Sequence, residues 1–435
     1  MSFDFLTRIS FSDLRGRLRG ATWKGLASTS AWQISNYIFP LITFPYLARV
    51  LGIWGFGITG MAAAVTSYAL LFTDWGFALT ATQEVARARN DPAAVNRIVW
   101  QTIAAKAVLG ILSGGAMIAG AYLFVDNGPL RAVLMVSTLN ILGSIFSVDW
   151  ALRGVEAFSK FTMASVVGRA VSVPLVFILV REPGDVVPAT IASAAGGLFA
   201  TALTLAMAHR LAILRRPAGS LHGAWRSLVD GASIFLSTAM ISLYTNSLTV
   251  VLGLVSGTRQ VGIFAASEKI RWPVQGLLTP VRMVFFPRMT FLAGRDPARA
   301  HATIRGLLLF QGSIAFFLSA GLCICAPIAV RILLGSGFGP SILVLRILSW
   351  LIFIVVLSNV LGEMIMLPFG LKKEFTWSLL AGVLVGGGLA VPFSLWWGAV
   401  GTAIAAVSAE TAITVVMFAV VAHRLPWFRA IWRKV

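Results

Sequence analysis

Several charged residues stand inside long apolar segments of this sequence, and those positions are where chemistry is to be sought. The bases are Lys106, Arg169, Lys269, Arg271, Arg282 and Arg346; the acids are Asp74, Asp149, Glu268, Glu363 and Glu410. A central Arg, Lys or Asp in a membrane helix costs about 2.5–3.5 kcal/mol on insertion scales, so it ordinarily faces a cavity or a partner. Arg271, Gln275 and Arg282 are spaced i, i+4 and i+11. On a helix of 3.6 residues per turn they fall within about 40° of one another, a stripe suited to an anionic, polar ligand. Lys269 lies off that stripe by more than a right angle in a straight helix. Pro273 and Pro280 make straightness unexpected, because each removes a backbone hydrogen bond. Broken helices of this kind are tolerated where they line cavities.

Each of these residues also has a plainer use. Arg282 either lines a cavity or reaches toward the nearer membrane surface. Arg346 either pairs with Glu363 or extends to the opposite surface. Asp149 and Arg153, at i and i+4, read as a structural ion pair. Asp74 either caps structure or gates a cavity, and Lys106 and Arg169 are single cations on separate helices. Glu268 and Lys269 point about 100° apart on a helix, which makes direct pairing poor. His209, His222, His301 and His423 are far apart in sequence and give no metal-binding spacing. There is no Walker-type glycine loop, nucleophile elbow or metalloprotease helix, so neither a metal nor an organic cofactor is expected.

The elements that position these charges are membrane spans. The chain has 435 residues, 58% hydrophobic and 12% charged, with a mean hydropathy of +0.86. A soluble domain carries about 25% charged residues. Apolar stretches near 20 residues recur along the whole length, and each is long enough to cross a hydrocarbon core. The expected spans are 27–48, 56–79, 99–125, 130–152, 161–180, 189–209, 230–255, 263–286, 306–327, 341–366, 376–396 and 399–422. This predicts an all-α membrane protein of about 12 helices. Residues 1–25 hold Arg15, Arg17, Arg19 and Lys24 and no apolar core, which suits a surface amphipathic segment rather than a secretory signal.

Charge fixes the orientation. With the N-terminus on the cytoplasmic side, that side carries 24 Lys and Arg against 5 on the other, so both termini are expected in the cytoplasm. The net charge of +19 then reflects an anionic lipid surface, not nucleic acid. An internal repeat supports two lobes: Val50-Leu51-Gly52 with Gly57-Ile58 is echoed by Val251-Leu252-Gly253 with Gly262-Ile263. The expected organisation is an N-lobe over 26–214, a linker over 215–228, a C-lobe over 229–423 and a basic tail over 424–435.

Four stretches resemble the polysaccharide-biosynthesis flippases, the Wzx-like oligosaccharide transporters of the MATE-related superfamily. The first runs from Phe39-Pro40-Leu41 to Val50-Leu51-Gly52 and on through Asp74-Trp75-Gly76-Phe77. The second is Arg153-Gly154-Val155-Glu156-Ala157-Phe158. The third is Gly262-Ile263-Phe264-Ala265-Ala266-Ser267-Glu268-Lys269-Ile270, ending in Phe286-Pro287-Arg288. The fourth joins Leu345-Arg346-Ile347-Leu348-Ser349 to Ser358-Asn359-Val360-Leu361-Gly362. The resemblance implies two six-helix lobes around a central cavity that opens alternately to each side of a bacterial inner membrane. It implies an undecaprenyl-pyrophosphate-linked oligosaccharide as substrate, with a polysaccharide polymerase and chain-length machinery as partners. Lys269 sits where the family places a basic residue. Arg271, Gln275, Arg282, Arg169 and Lys106 are the further substrate-binding candidates, and Asp74, Arg49 and Glu363 the gating or ion-coupling ones. Thr43-Phe44 stands where related lipid II flippases carry an Arg-Asp pair, and Tyr244-Thr245-Asn246-Ser247 is neutral where many sugar transporters carry an acid. Coupling to H+ or Na+ is therefore left open. A cation-coupled drug exporter of the same superfamily is the alternative. A glycan polymerase or ligase fits poorly, because the external loops are too short to build its site.

Overall fold

The computed structural model describes residues 21–126, 128–425 and 427–428, so the amphipathic segment expected before residue 21 and most of the basic tail lie outside the described residues. Among the described residues the chain is helical throughout, with no strand. Helix α1 (Ala21–Asp74) is two passes joined at Gly52, whose φ of 65° lies in the left-handed region that glycine occupies without strain. Short α2 (Phe77–Arg87) is followed by α3 (Pro92–Phe124), α4 (Pro129–Phe146), short α5 (Asp149–Gly154), α6 (Phe158–Leu179) and α7 (Val186–Arg210). Helix α8 (Leu221–Ser256) begins inside the stretch expected as linker; α9 (Thr258–Gly276), α10 (Thr279–Arg295), α11 (Pro297–Leu333) and α12 (Ser341–Asn359) follow. A π-helical turn (Val360–Met366) prolongs α12, and α13 (Lys372–Arg424) is again two passes, bent at Gly398 (φ 55°).

Among the described residues, eight helices are long and apolar enough to cross a membrane by length and composition. Two of the eight, α1 and α13, hold two passes each. The remaining passes are α8 and the broken pair α9–α10; the lower hydropathy of α9 and α10 follows from their polar and charged content. The expected twelve passes are thus accounted for. The expected kink in the eighth pass is a full break at Leu277–Leu278, with Pro280 in the first turn of the helix that resumes. Three helix starts at the Arg/Lys-rich end, those of α3, α8 and α11, are capped by side chains. Asp91 accepts from the N–H groups of Ala93 and Ala94, Ser220 from Gly223, and Asp296 from Arg299.

The passes pack as two lobes, α1–α7 and α8–α13, each with an apolar cluster of its own, while a further cluster joins N-lobe residues to Ala224 of α8. The repeat seen in the sequence has a physical counterpart where the lobes meet. Gly52 and Gly257 are both left-handed turns, 205 residues apart. Five residues beyond each, Gly57 and Gly262 pack against one another reciprocally. A Cβ on Gly57 would lie 1.8 Å from the Thr258 carbonyl oxygen, and one on Gly262 would lie 2.0 Å from that of Ile53. Ile53 and Thr258 are again 205 apart, so the contact is self-complementary, as a two-fold axis between the lobes requires. Phe44, Phe56 and Phe338 extend this closure at the Arg/Lys-poor end, with ring centroids 5.6 and 6.2 Å apart.

Candidate functional site

Lys269 lies on the face of α9 that looks across to the other lobe. Its neighbours along that face are Ala265 and Gly276, four residues before it and seven after, both within about 40° on the helical wheel. Ala265 packs against Gly60 of α1, and Gly276 against the Tyr37 ring of α1. Contacts to the N-lobe therefore lie above and below Lys269 on its own stripe. Lys269 is itself exposed, on the stripe of α9 that meets the N-lobe on either side of it. It stands twelve residues beyond Gly257, about 18 Å at 1.5 Å per residue, near the middle of a core about 30 Å thick. It has no ion-pair or hydrogen-bond partner among the described residues. Arg346 is the other in-span base in that condition. It sits five residues into α12, beside an apolar surface pocket lined by Trp350 and Phe353, and not beside Glu363.

The remaining predicted cations are engaged within the protein. Arg271 is buried; its Nε and Nη2 donate to the two carboxylate oxygens of Glu268 at 3.0 and 2.7 Å, and Nη1 donates to Gln275. Burial of this pair on the packed face of α9 explains why Arg271 and Gln275 do not share a surface with Lys269. Arg282, on the separate helix α10, meets Glu363 of the π turn at 3.1 Å, both partly exposed. Lys106 is enclosed, with 4% of its side chain exposed, and its Nζ lies 2.9 Å from Asp74 Oδ1. That oxygen also accepts from Ser144 at 2.8 Å, while the Asp74 side chain is 49% exposed. The open group at this point is thus the acid, with the cation behind it. Arg169 ties α6 to α1 by donating to Ser35 at 2.8 Å and to Asn36. Arg49 crosses between lobes and donates to the Ile332 carbonyl in the last turn of α11, where the helix dipole favours a cation. The Asp149–Arg153 pair forms as expected, at 2.9 Å.

Three groups in this region were not singled out by sequence. Gln33 donates to the Tyr37 hydroxyl, which adds neutral polar atoms on α1 near Gly276. Trp75, held at φ 42°, donates its indole N–H to the Leu228 carbonyl of α8 at 2.8 Å and stacks on Phe235 at 3.9 Å. That contact joins the lobes at the Arg/Lys-rich end. Tyr68 makes a second link nearer mid-depth, 2.7 Å from Ser247 of α8. An Asp-Trp-Gly turn ending an apolar span was the available signal for Trp75. Gln33 and Tyr37 gave none, since polar residues on a first span also serve packing.

Residues 22–293 match the family described as polysaccharide biosynthesis protein. A protein of Escherichia coli (strain K12) described as a candidate O-antigen transporter is 34% identical over 386 residues, 88% of this chain and 93% of that protein. The chain belongs to the polysaccharide biosynthesis protein family. Solved structures share its fold. The lipid II flippase MurJ in an inward closed conformation superposes with a TM-score of 0.71 at 12% identity, covering 91% of this chain and 87% of that one. An inward-facing multidrug-resistance transporter of the MATE family gives 0.68 at 17% identity, covering 89% and 96%. The relatives of this family member are named transporters and flippases, not enzymes, and this chain too is a transporter.

Proposed function

We propose that this protein flips an undecaprenyl-pyrophosphate-linked oligosaccharide across the bacterial inner membrane by alternating access. The repeat unit would serve a surface polysaccharide, and the Arg/Lys-rich end and both termini would face the cytoplasm. The observation that carries the reading is Lys269: an ammonium without a partner among the described residues, at mid-depth on the face between the lobes. A pyrophosphate passing through an apolar barrier must exchange water for cations, and its glycan needs polar walls. Lys269 supplies the first cation. Arg282 supplies a second by exchanging Glu363 for phosphate, and Gln33 and Tyr37 offer hydroxyl and amide contacts for sugars.

The other charges acquire positioning roles. Lys106 holds Asp74 at the inner end of the N-lobe, Arg169 fixes α6 on α1, and Arg271 with Gln275 locks Glu268. Opening to the cytoplasm would part Trp75 from Phe235 and Leu228. Opening to the outside would part Gly57 from Gly262 and Arg49 from Ile332. A drug exporter for organic cations would have no use for an unpaired ammonium at the centre of its path. Polymerase and chain-length proteins are the expected downstream partners, since they act on the flipped unit.

Deleting the gene tests the function. Surface glycan should disappear while lipid-linked intermediates accumulate on the cytoplasmic side. Accumulation of unpolymerised units on the outer face would contradict it.

A further inference from the structure

Glu410 is an acid inside the C-lobe to which the transport reading gives no role. It lies in the second pass of α13, 7% exposed. It is twelve residues past the Gly398 bend, as Lys269 is past Gly257, so both stand about 18 Å along their passes. Among the described residues its carboxyl has one side-chain partner, Ser358 Oγ, 2.6 Å from Oε1. Ser358 immediately precedes Asn359 and the π-helical turn Val360–Met366. Such turns recur at functional positions in helices.

The hydrogens in this contact can be counted. A serine hydroxyl carries one. Ser358 Oγ is also 3.1 Å from the Val355 carbonyl oxygen, which can only accept. If the serine hydrogen serves Val355, the shorter contact to Glu410 needs a hydrogen from the carboxyl. The chain then reads carboxyl O–H to Oγ, and Oγ–H to carbonyl, with every donor used. An ionised carboxylate would instead take the serine hydrogen and keep one donor for its roughly four lone-pair sites, a costly state when buried.

The surrounding charges leave Glu410 without a counter-ion. Helix α9 brings Arg271 within electrostatic reach, yet that guanidinium is held bidentately by Glu268 and capped by Gln275. The π turn brings Glu363, taken by Arg282. Helix α12 carries Arg346 near its opposite end, and α8 carries His222, Arg226 and Asp230 only in its first ten residues. On α13 itself the other charges, Lys372, Lys373, Glu374, His423 and Arg424, stand at the two ends.

We propose that Glu410 and Ser358 form a proton-binding site in the C-lobe, whose occupancy controls the Arg271–Glu268 pair beside Lys269. A proton is the occupant because it needs one acceptor. Hard metal cations gather several oxygens, and one hydroxyl beside one carboxyl supplies too few. On release the Glu410 O–H bond breaks, the electron pair stays on the carboxylate and the proton passes to water. The new carboxylate competes with Glu268 for Arg271, and Glu268, next to Lys269 on α9, is released toward solvent. The link from proton to cargo rests on the proposed flippase function; the proton site does not.

Infrared spectra of the purified full chain in lipid nanodiscs test the site. Wild type at neutral pH should show a protonated-carboxyl C=O stretch that shifts in D2O. Glu410→Gln should lack it, and Ser358→Ala should keep it at an altered frequency. A wild type without the band, or a Glu410→Gln spectrum that retains it in full, overturns the proposal. So does loss of the band when choline chloride is replaced by sodium chloride, which would assign the site to a metal cation. Should Glu410→Gln fail to fold, an unshifted band in Ser358→Ala overturns the hydrogen-bond relay. Proteoliposomes containing a fluorescent undecaprenyl-pyrophosphate disaccharide and a luminal pH dye test the coupling. Wild type should change luminal pH as the lipid flips, and Glu410→Gln should not. Flipping with no pH change in wild type overturns the coupling. If wild type moves no lipid, the flippase reading fails while the infrared result still decides the proton site.

Discussion

Removing either member of the Asp74–Lys106 pair should have unequal consequences, because the two partners differ in burial. Lys106 is enclosed, with 4% of its side chain exposed, and Asp74 is 49% exposed. In Asp74→Ala the ammonium stays buried with no carboxylate within reach. Breaking a buried pair in this way costs about 3–5 kcal/mol, or about two to four decades in the folded fraction. In Lys106→Met the stranded group is a half-exposed carboxylate that returns to water and keeps its hydrogen bond from Ser144 at 2.8 Å. Its loss should be nearer the ~1 kcal/mol of an exposed pair. The double variant should recover most of the Asp74→Ala loss, since no uncompensated charge remains. Thermal aggregation of detergent-solubilised fusions, followed by fluorescence-detected size exclusion, gives the order of the three variants. If Lys106→Met is the more damaging single change, or the double variant is no better than Asp74→Ala, burial does not govern this pair.

Gly262→Ala puts a methyl group 2.0 Å from the Ile53 carbonyl oxygen, a backbone atom that cannot swing aside. Labelling of Thr258→Cys by an impermeant maleimide should rise in that background, whereas Gly120→Ala, which meets nothing within 4 Å, should leave it unchanged. In the loop before α7, the N–H groups of Arg181 and Glu182 donate to Asp185 at 2.8 and 2.9 Å and hold its carboxyl below the usual carboxylate range. A lowered folded-state value stabilises the loop above the unfolded value of about 3.9, and this is lost as pH falls below it. Tryptic cleavage at Arg181, divided by trypsin's rate on an unstructured peptide at the same pH, should therefore be flat from pH 5 to 8, and Asp185→Asn should raise it across that range. Topology reporters fused after Arg181 and after Arg226 should report opposite sides of the membrane; the same side from both would contradict the charge bias.

Most of the fold was readable because membrane spans obey two simple constraints, length and hydropathy. The twelve passes, the break in the eighth and the repeat at Gly57 and Gly262 all follow from local composition. The partners of individual charges did not. Lys106, Arg271 and Lys269 are all cations inside apolar spans, and sequence position alone does not say which of them meets a carboxylate. What separates them is which neighbour each meets: Asp74 from another helix, Glu268 three residues away, or no carboxylate among the described residues. Arg271 and Gln275 formed a stripe on paper, but the stripe is the packed face of α9. Glu410 was visible only as one acid among several, because its burial and its bond to Ser358 depend on contacts between helices far apart in sequence.

Lys269 provides the most direct test of the central claim. Reconstituted wild type should flip a fluorescent undecaprenyl-pyrophosphate-linked oligosaccharide, measured by quenching of the lipid that reaches the outer leaflet. Loss of one charge-assisted contact to pyrophosphate costs about 1.5–3 kcal/mol, roughly ten- to a hundredfold in affinity. Lys269→Ala should therefore lower the flipping rate at limiting substrate by that factor while elution and melting match wild type. Lys269→Arg, which keeps a cation at the same depth, should retain part of the rate. A Lys269→Ala protein that flips the lipid at the wild-type rate would contradict the assignment of Lys269 as the cation that carries the headgroup across.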